Sequence, residues 1–312
     1  MSDFPVLLRL PCLVVVLVAL LRACPGQAQS FDASGLDRPT ELGGSWLMKP
    51  GDDLAYAQPG YDDSGWTRVD VSHVVVESEI EAAGQVQEVI LPKPGESIPG
   101  FRLHSVYRPA QQVGGDFFQV LPAYDGGMLL IVGDVAGKGL PAAMMVALVV
   151  GSIRTITQFT NDPAAILGEL NARLVGRTAG GFSTCLAAHF RTNGEVTLAN
   201  AGHLPPYLDG QEVTLSGSFP LGIIKNAEST QCTVRLAYGS RLTFYSDGLP
   251  EAQNEKGELL GFERAQALSQ LDAEAIVQAA IAFGQKDDIT VVVIERESAP
   301  VAVNSEGGAM RA

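Results

Sequence analysis

Apolar and polar positions in this chain change period several times, and each change marks an element. The run GMLLIVGDV (127–135) is continuously apolar over the length of a strand, which predicts a strand buried on both faces. GLPAAMMVALVVGSIRTIT (139–157) is too long for that, and its opening Gly-Pro predicts the N-terminus of an apolar helix. PAAILGELNARLV (163–175) reads as a second helix. FSTCLAAHFRT (182–192), EVTLANAG (195–202) and PPYLDGQEVTL (205–215) read as successive antiparallel strands, with Asn-Gly and Asp-Gly turns at 193–194 and 209–210. RLTFYSDG (241–248) and DDITVVVIER (287–296) supply two more strands, and between them AEAIVQAAIAFG (273–284) reads as a helix ending at Gly284. From Phe101 onward this order suits an α+β fold, an antiparallel β-sandwich flanked by helices (α-β-β-α).

The upstream residues differ in texture. Arg9 precedes an apolar run from Leu10 to Leu21, followed by small residues at Gly26 and Ala28, so residues 1–29 read as a signal peptide or apolar N-terminal segment. The run is shorter than the roughly 20 residues that span a bilayer. Residues 30–76, rich in Gly, Asp, Trp and Tyr, resemble the opening of jelly-roll, galactose-binding-like domains. Such sandwiches need about 100 residues, so this stretch is read as a truncated fragment, with Trp46 and Trp66 as packing residues. Residues 77–98 read as a linker. Within it, 77–92 carry Ile80, Ala83, Val86, Val89 and Ile90 at helical spacing and end at Pro92 and Pro94. Two heptads are too few to assign a coiled coil, so a homodimer through 77–92 and packing on the chain's own domain both stay open. Residues 99–297 form the main domain and 298–312 a disordered tail. Between front and main domain, residues 70–100 hold no apolar run longer than Val74–Val76. The expectation is a chain that lacks an internal sensor and membrane segment, or whose start is misassigned.

Composition narrows the function classes. With 312 residues and 46% apolar content there is room for one packed domain of about 200 residues plus an appendage. A net charge of −14 without any basic run argues against nucleic acid as a partner, since phosphate backbones need clustered Lys and Arg. Cys185 and Cys232 sit in apolar strand-like runs and read as buried thiols, while four His without ligand spacing give no zinc site. There is no GxSxG elbow, and GDVAGKG (133–139) lacks the Walker spacing.

The chemistry concentrates in four aspartates, each at a break after or before an apolar run: Asp116 in VGGDFF, Asp134 in VGDVAGKG, Asp247 in YSDGL and Asp287 in KDDITVVV. Taken singly, each has an ordinary reading as a turn or cap residue. Together, carboxylates clustered at strand ends suit hard divalent cations, which want oxygen ligands.

The ordered set resembles the metal-dependent protein phosphatases of type 2C (the PPM group), in their bacterial SpoIIE/RsbU-like branch. The residues that carry the resemblance are YRPAQQVGGDFF (107–118), GDVAGKGLPAAM (133–144), NAGHLPP (200–206), LTFYSDGLPEA (242–252) and KDDITVVVI (286–294). It implies a type 2C-like sandwich holding two ions, Mn²⁺ or Mg²⁺. Asp134 would bridge them and the Val135 carbonyl would reach one. Asp247 and Asp287 would complete one shell, and Asp116 would act through water on the other. It further implies hydrolysis of phosphoserine or phosphothreonine on a bacterial regulatory protein of the anti-sigma-factor antagonist type. A cytoplasmic phosphatase domain is implied as well, against a front end that suggests export or membrane association.

Secondary candidates are Asp288 as a helper ligand or strand-entry turn residue, His203 as an acid or turn residue, Lys138 as a phosphate contact or solvated side chain, and Arg108 as a phosphate contact. One departure is Gln119, where many members carry a second acidic residue; it is read as able to bond a metal water. Two alternatives stand beside the enzyme: a pseudophosphatase that binds a phosphoprotein without turnover, and an exported sugar-binding protein.

Overall fold

The structure, a computed structural model, describes residues 45–48, 67–92, 100–177, 181–225, 227 and 229–297. The signal-like segment 1–29, most of the jelly-roll-like stretch and the tail 298–312 lie outside the described residues. The chain divides into two compact units, residues 1–79 and 80–312. In the first, β1 (Ser45–Met48) and β2 (Thr67–Asp70) form an antiparallel pair with Trp46 in register with Val69. Helix α1 (Val71–Ile90) begins at Val71, upstream of the 77–92 segment expected to carry it. Among the described residues, no helix is long and apolar enough to cross a membrane.

The second unit stacks two five-stranded antiparallel sheets. One runs in the order β10 (Gln231–Arg235), β7 (Glu195–Ala201), β6 (Ser183–Phe190), β5 (Met128–Val135), β4 (Asp116–Pro122). The other runs β3 (Phe101–Arg108), β12 (Ile289–Arg296), β11 (Arg241–Tyr245), β8 (Tyr207–Leu208), β9 (Gln211–Glu212). The period-2 alternation of each strand sorts its side chains into separate cores. On β5, Leu129 and Ile131 meet Val146, Val149 and Ile153 of α2 (Leu140–Ile156) and Ile166 and Leu170 of α3 (Pro163–Leu174). Leu130 and Val132 point the other way, into a core shared with Phe244, Val292 and Ile294 of the second sheet. Val291 and Val293 of β12 then join Ile276, Val277 and Ala280 of α5 (Ala273–Gly284). The unbroken apolar run of β5 is thus a strand covered on both faces, and the α-β-β-α layering matches the expected class.

Two elements differ from the reading. The segment 205–215 is not the next strand of the β6–β7 sheet. Gly202 turns with φ 75° and Pro205 and Pro206 have no N–H to give a ladder, so the chain crosses over and forms the short β8–β9 hairpin on the other sheet. Its turn is the anticipated Asp-Gly, with Asp209 and Gly210 at φ 48° and 79°. Helix α4 (Gly261–Leu268) was not anticipated: it is short and buries only Ala265 outright.

Candidate metal centre

Strand pairing brings the aspartates to one end of the sandwich. Antiparallel β4 and β5 set Asp116 directly opposite Asp134. On the second sheet Tyr245 pairs with Val291, and the Ser246 N–H donates to the Thr290 carbonyl at 3.0 Å, so the chain after β11 and the chain before β12 lie side by side. One carboxylate oxygen from each of Asp116, Asp134 and Asp247 falls within 4.8 Å of the others. Asp287 stands beside this group rather than in it: its Oδ2 accepts from Lys138 Nζ at 2.9 Å.

The cluster is held under electrostatic load. Asp116 is buried, and desolvation together with Asp134 pushes its carboxyl well above the usual range, although Ser246 and Thr290 hydrogen bonds oppose this. Thr290 Oγ1 donates to Asp116 Oδ2 at 2.7 Å, linking the two sheets through the site. Burial, then the charges of Asp247, Asp287 and Asp288, raise Asp134 to about 7. Burial, then Glu251 and Asp287, raise Asp247 to about 6. Oxygen donors with no His or Cys among them, each resisting ionisation through burial first and neighbouring carboxylates second, fit a hard divalent cation, whose charge would offset both.

The loop before β4 is fitted against the cluster. A Cβ on Gly115 would fall 2.6 Å from the Val135 carbonyl oxygen and 2.8 Å from Asp134 Oδ1, so no larger residue fits without displacing the carboxylate. The same closeness places the Val135 carbonyl at the edge of the cluster. Both oxygens of Asp288 are taken by backbone N–H groups, Oδ1 by Ala110 at 2.8 Å and Oδ2 by Gly115 at 2.7 Å. Asp288 is therefore an anchor for the loop. Gln87 of α1 grips the loop from the other side, donating to the Gly114 carbonyl at 2.7 Å and accepting from the Gly114 N–H at 3.1 Å. The Tyr107 hydroxyl is buried with no partner among the described residues, and burial and the charges of Asp288, Asp116 and Asp134 push it upward.

The remaining candidates are placed as follows. His203 is buried, its Nδ1 lies 2.9 Å from Thr184 Oγ1, and Asn200 clamps its backbone on both sides. Burial drops its pKa to about 4, which leaves the ring neutral at pH 7; this is the turn reading, and the acid role falls. Arg108 pairs with Glu274 of α5 at 3.4 Å. Gln119 corrects an expectation: three residues from Asp116 on a strand is an odd step, so it faces α1 and α2 instead of the cluster. There it donates to the Ile90 carbonyl at 3.0 Å and accepts from Arg154 Nε at 2.8 Å. Reasoning from sequence missed Gln87, Tyr107, Ser246 and Thr290. Gln87 had a readable signal, since it interrupts an apolar stripe through Ile80, Ala83 and Ile90; the structure buries it and leaves Val86 and Val89 exposed.

Comparison with known proteins gives the family. The family model for stage II sporulation protein E (SpoIIE) matches residues 124–297, a span that includes Asp134, Asp247 and Asp287. The chain is 27% identical over 195 residues to phosphoserine phosphatase RsbU of Bacillus subtilis (strain 168), covering 59% of this chain and 57% of that protein. It is 24% identical over 219 residues to Protein IcfG of Synechocystis sp., covering 60% of this chain and 34% of that protein. The chain thus spans little over half of one relative and a third of the other. Among solved structures, the SiaA-PP2C domain of Pseudomonas aeruginosa superposes with a TM-score of 0.62 at 27% identity, covering 72% of this chain and 98% of that one.

Proposed function

We propose, because this chain belongs to the SpoIIE family of PP2C-type protein phosphatases, that its aspartate cluster holds two Mn²⁺ or Mg²⁺ ions and that the domain hydrolyses phosphoserine and phosphothreonine on a protein. The observation that carries this reading is the meeting of Asp116, Asp134 and Asp247 within 4.8 Å, contributed by both sheets, with their carboxyl groups pushed up by burial and by neighbouring carboxylates. Asp116, Asp134 and Asp247 would hold the ions, with Asp287 and the Val135 carbonyl beside them as further oxygen donors. When bound, such a pair supplies an acidified water and neutralises charge on the phosphoryl group.

The chain's own residues do the rest. Thr290 and Ser246 orient the Asp116 carboxylate, while Asp288 and Gln87 fix the glycine loop from opposite sides. Among the described residues no thiol competes as nucleophile: burial raises both Cys185 and Cys232, which keeps them protonated. The proposed substrate is a phosphorylated bacterial regulator of the anti-sigma-factor antagonist type, supported by the similarity to a phosphoserine phosphatase. The exposed Val86 and Val89 of α1 support pairing of that helix with a second copy.

The test is phosphate release from a phosphoserine peptide by the full chain, with Mn²⁺ and with chelator, beside Asp134→Asn. Turnover that requires Mn²⁺ and falls by at least about 10²-fold in the variant is expected. A folded protein that binds Mn²⁺ without turnover would instead favour a phosphoprotein-binding module.

A further inference from the structure

Lys138 occupies the turn that follows β5, between Gly137 at φ 118° and Gly139 at φ 71°. Its Nζ lies 2.9 Å from Asp287 Oδ2 and 3.5 Å from the Lys286 carbonyl. Asp287 is the one aspartate of the ordered set that stays outside the 4.8 Å cluster. Both partners are accessible, with side-chain exposures of 59% for Lys138 and 40% for Asp287. Beside them opens a cleft of about 160 Å³, whose lining includes Gly114, Lys138, Asp287 and Asp288. Exposed ion pairs are weak and exchange partners readily, so a divalent cation claiming Asp287 displaces the ammonium at little cost. Displaced, the ammonium stays tethered at the cleft, where both oxygens of the neighbouring Asp288 already accept backbone N–H groups and a phosphoryl group entering the cleft can take its charge.

We propose that Lys138 is an exchangeable counter-ion: it holds Asp287 in the metal-free protein and, once metal takes that carboxylate, contacts the phosphoryl oxygens of the substrate. This rests on the phosphatase reading above. It makes Lys138 a competitor of the metal and a helper of the substrate, two roles of opposite sign that a purely structural lysine would not combine.

The experiment is calorimetric titration of the full chain with Mn²⁺, followed by inhibition of peptide turnover by inorganic phosphate, for wild type, Lys138→Gln and Lys286→Gln. Lys286 carries the same charge on the neighbouring surface without bonding Asp287 through its side chain, so it controls for net charge. In Lys138→Gln, Mn²⁺ should bind about two- to fivefold more tightly. Phosphate inhibition and the peptide KM should weaken about fivefold or more, with kcat changed less. Mn²⁺ affinity that is unchanged or weaker in Lys138→Gln, equal tightening in Lys286→Gln, or unaltered phosphate affinity would each overturn the exchange. Failure of the wild type to bind Mn²⁺ would instead remove the metal-site reading, and this proposal with it.

Discussion

The two ends of the acidic cleft are built on opposite principles. Asp116 is 1% exposed, opposite Asp134 on the neighbouring strand, and bonded across the sandwich to Thr290. Asp287 stands in a turn before its strand, and its side chain is 40% exposed and pairs with a lysine still more open to water. At the buried end desolvation is large and geometry is fixed before any ligand arrives; at the exposed end the electrostatic term is small and partners can change. A site that must hold metal tightly and release phosphate repeatedly gains from this division: a rigid wall on one side and an exchangeable one on the other.

The buried end is the easier to break. Gly115→Ala brings a Cβ against the Val135 carbonyl and Asp134, and overpacking of this kind costs about 1–3 kcal/mol; denaturant unfolding should show that loss, and calorimetry should show Mn²⁺ binding abolished. Thr290→Val removes the cross-sandwich bond that orients the Asp116 carboxyl, and Mn²⁺ affinity should fall about tenfold or more. pH offers a milder probe. Asp134 at about 7 and Asp247 at about 6 lie above the unfolded carboxyl value near 3.9, so the metal-free fold binds protons more tightly than the unfolded chain. That contribution is complete below about pH 4 and is lost as pH rises through 6 to 7. The Tm of the metal-free protein should therefore fall between about pH 4 and 7, and Asp134→Asn should flatten the decline. The smallest effect is expected at Gln119: Gln119→Asp places a carboxylate against Arg154, away from the cluster, and should leave Mn²⁺ affinity unchanged.

What the sequence disclosed follows the same physics. Long apolar runs with capping residues were legible: α5 begins after Asp272, whose side chain accepts from the Ala275 N–H, and ends at Gly284 as its composition indicates. The four aspartates were visible because each sits in a turn motif abutting such a run. Their division into three clustered and one lysine-paired was not, since it depends on how two sheets stack. Gln119 was misplaced for want of strand parity, which a single residue count along β4 would have supplied. His203 reads in sequence as an acid or a turn residue, and the fold holds it as a neutral core residue, because burial depends on packing contributed by distant strands. Asp288 reads as a helper ligand or a strand-entry turn residue, and the structure shows both its oxygens bonded to the loop it anchors.

The most direct measurement is the proton count on metal binding: calorimetric titration of the metal-free chain with Mn²⁺ at pH 6.5 in two buffers of different ionisation heat, for wild type and Asp134→Asn. Carboxyl groups raised as Asp116 and Asp134 are must give up protons to bind a cation. Wild type should bind Mn²⁺ and release protons, and the variant should lose both the binding and the release. Binding without proton release, or binding undiminished in Asp134→Asn, would contradict a metal centre made of these carboxylates.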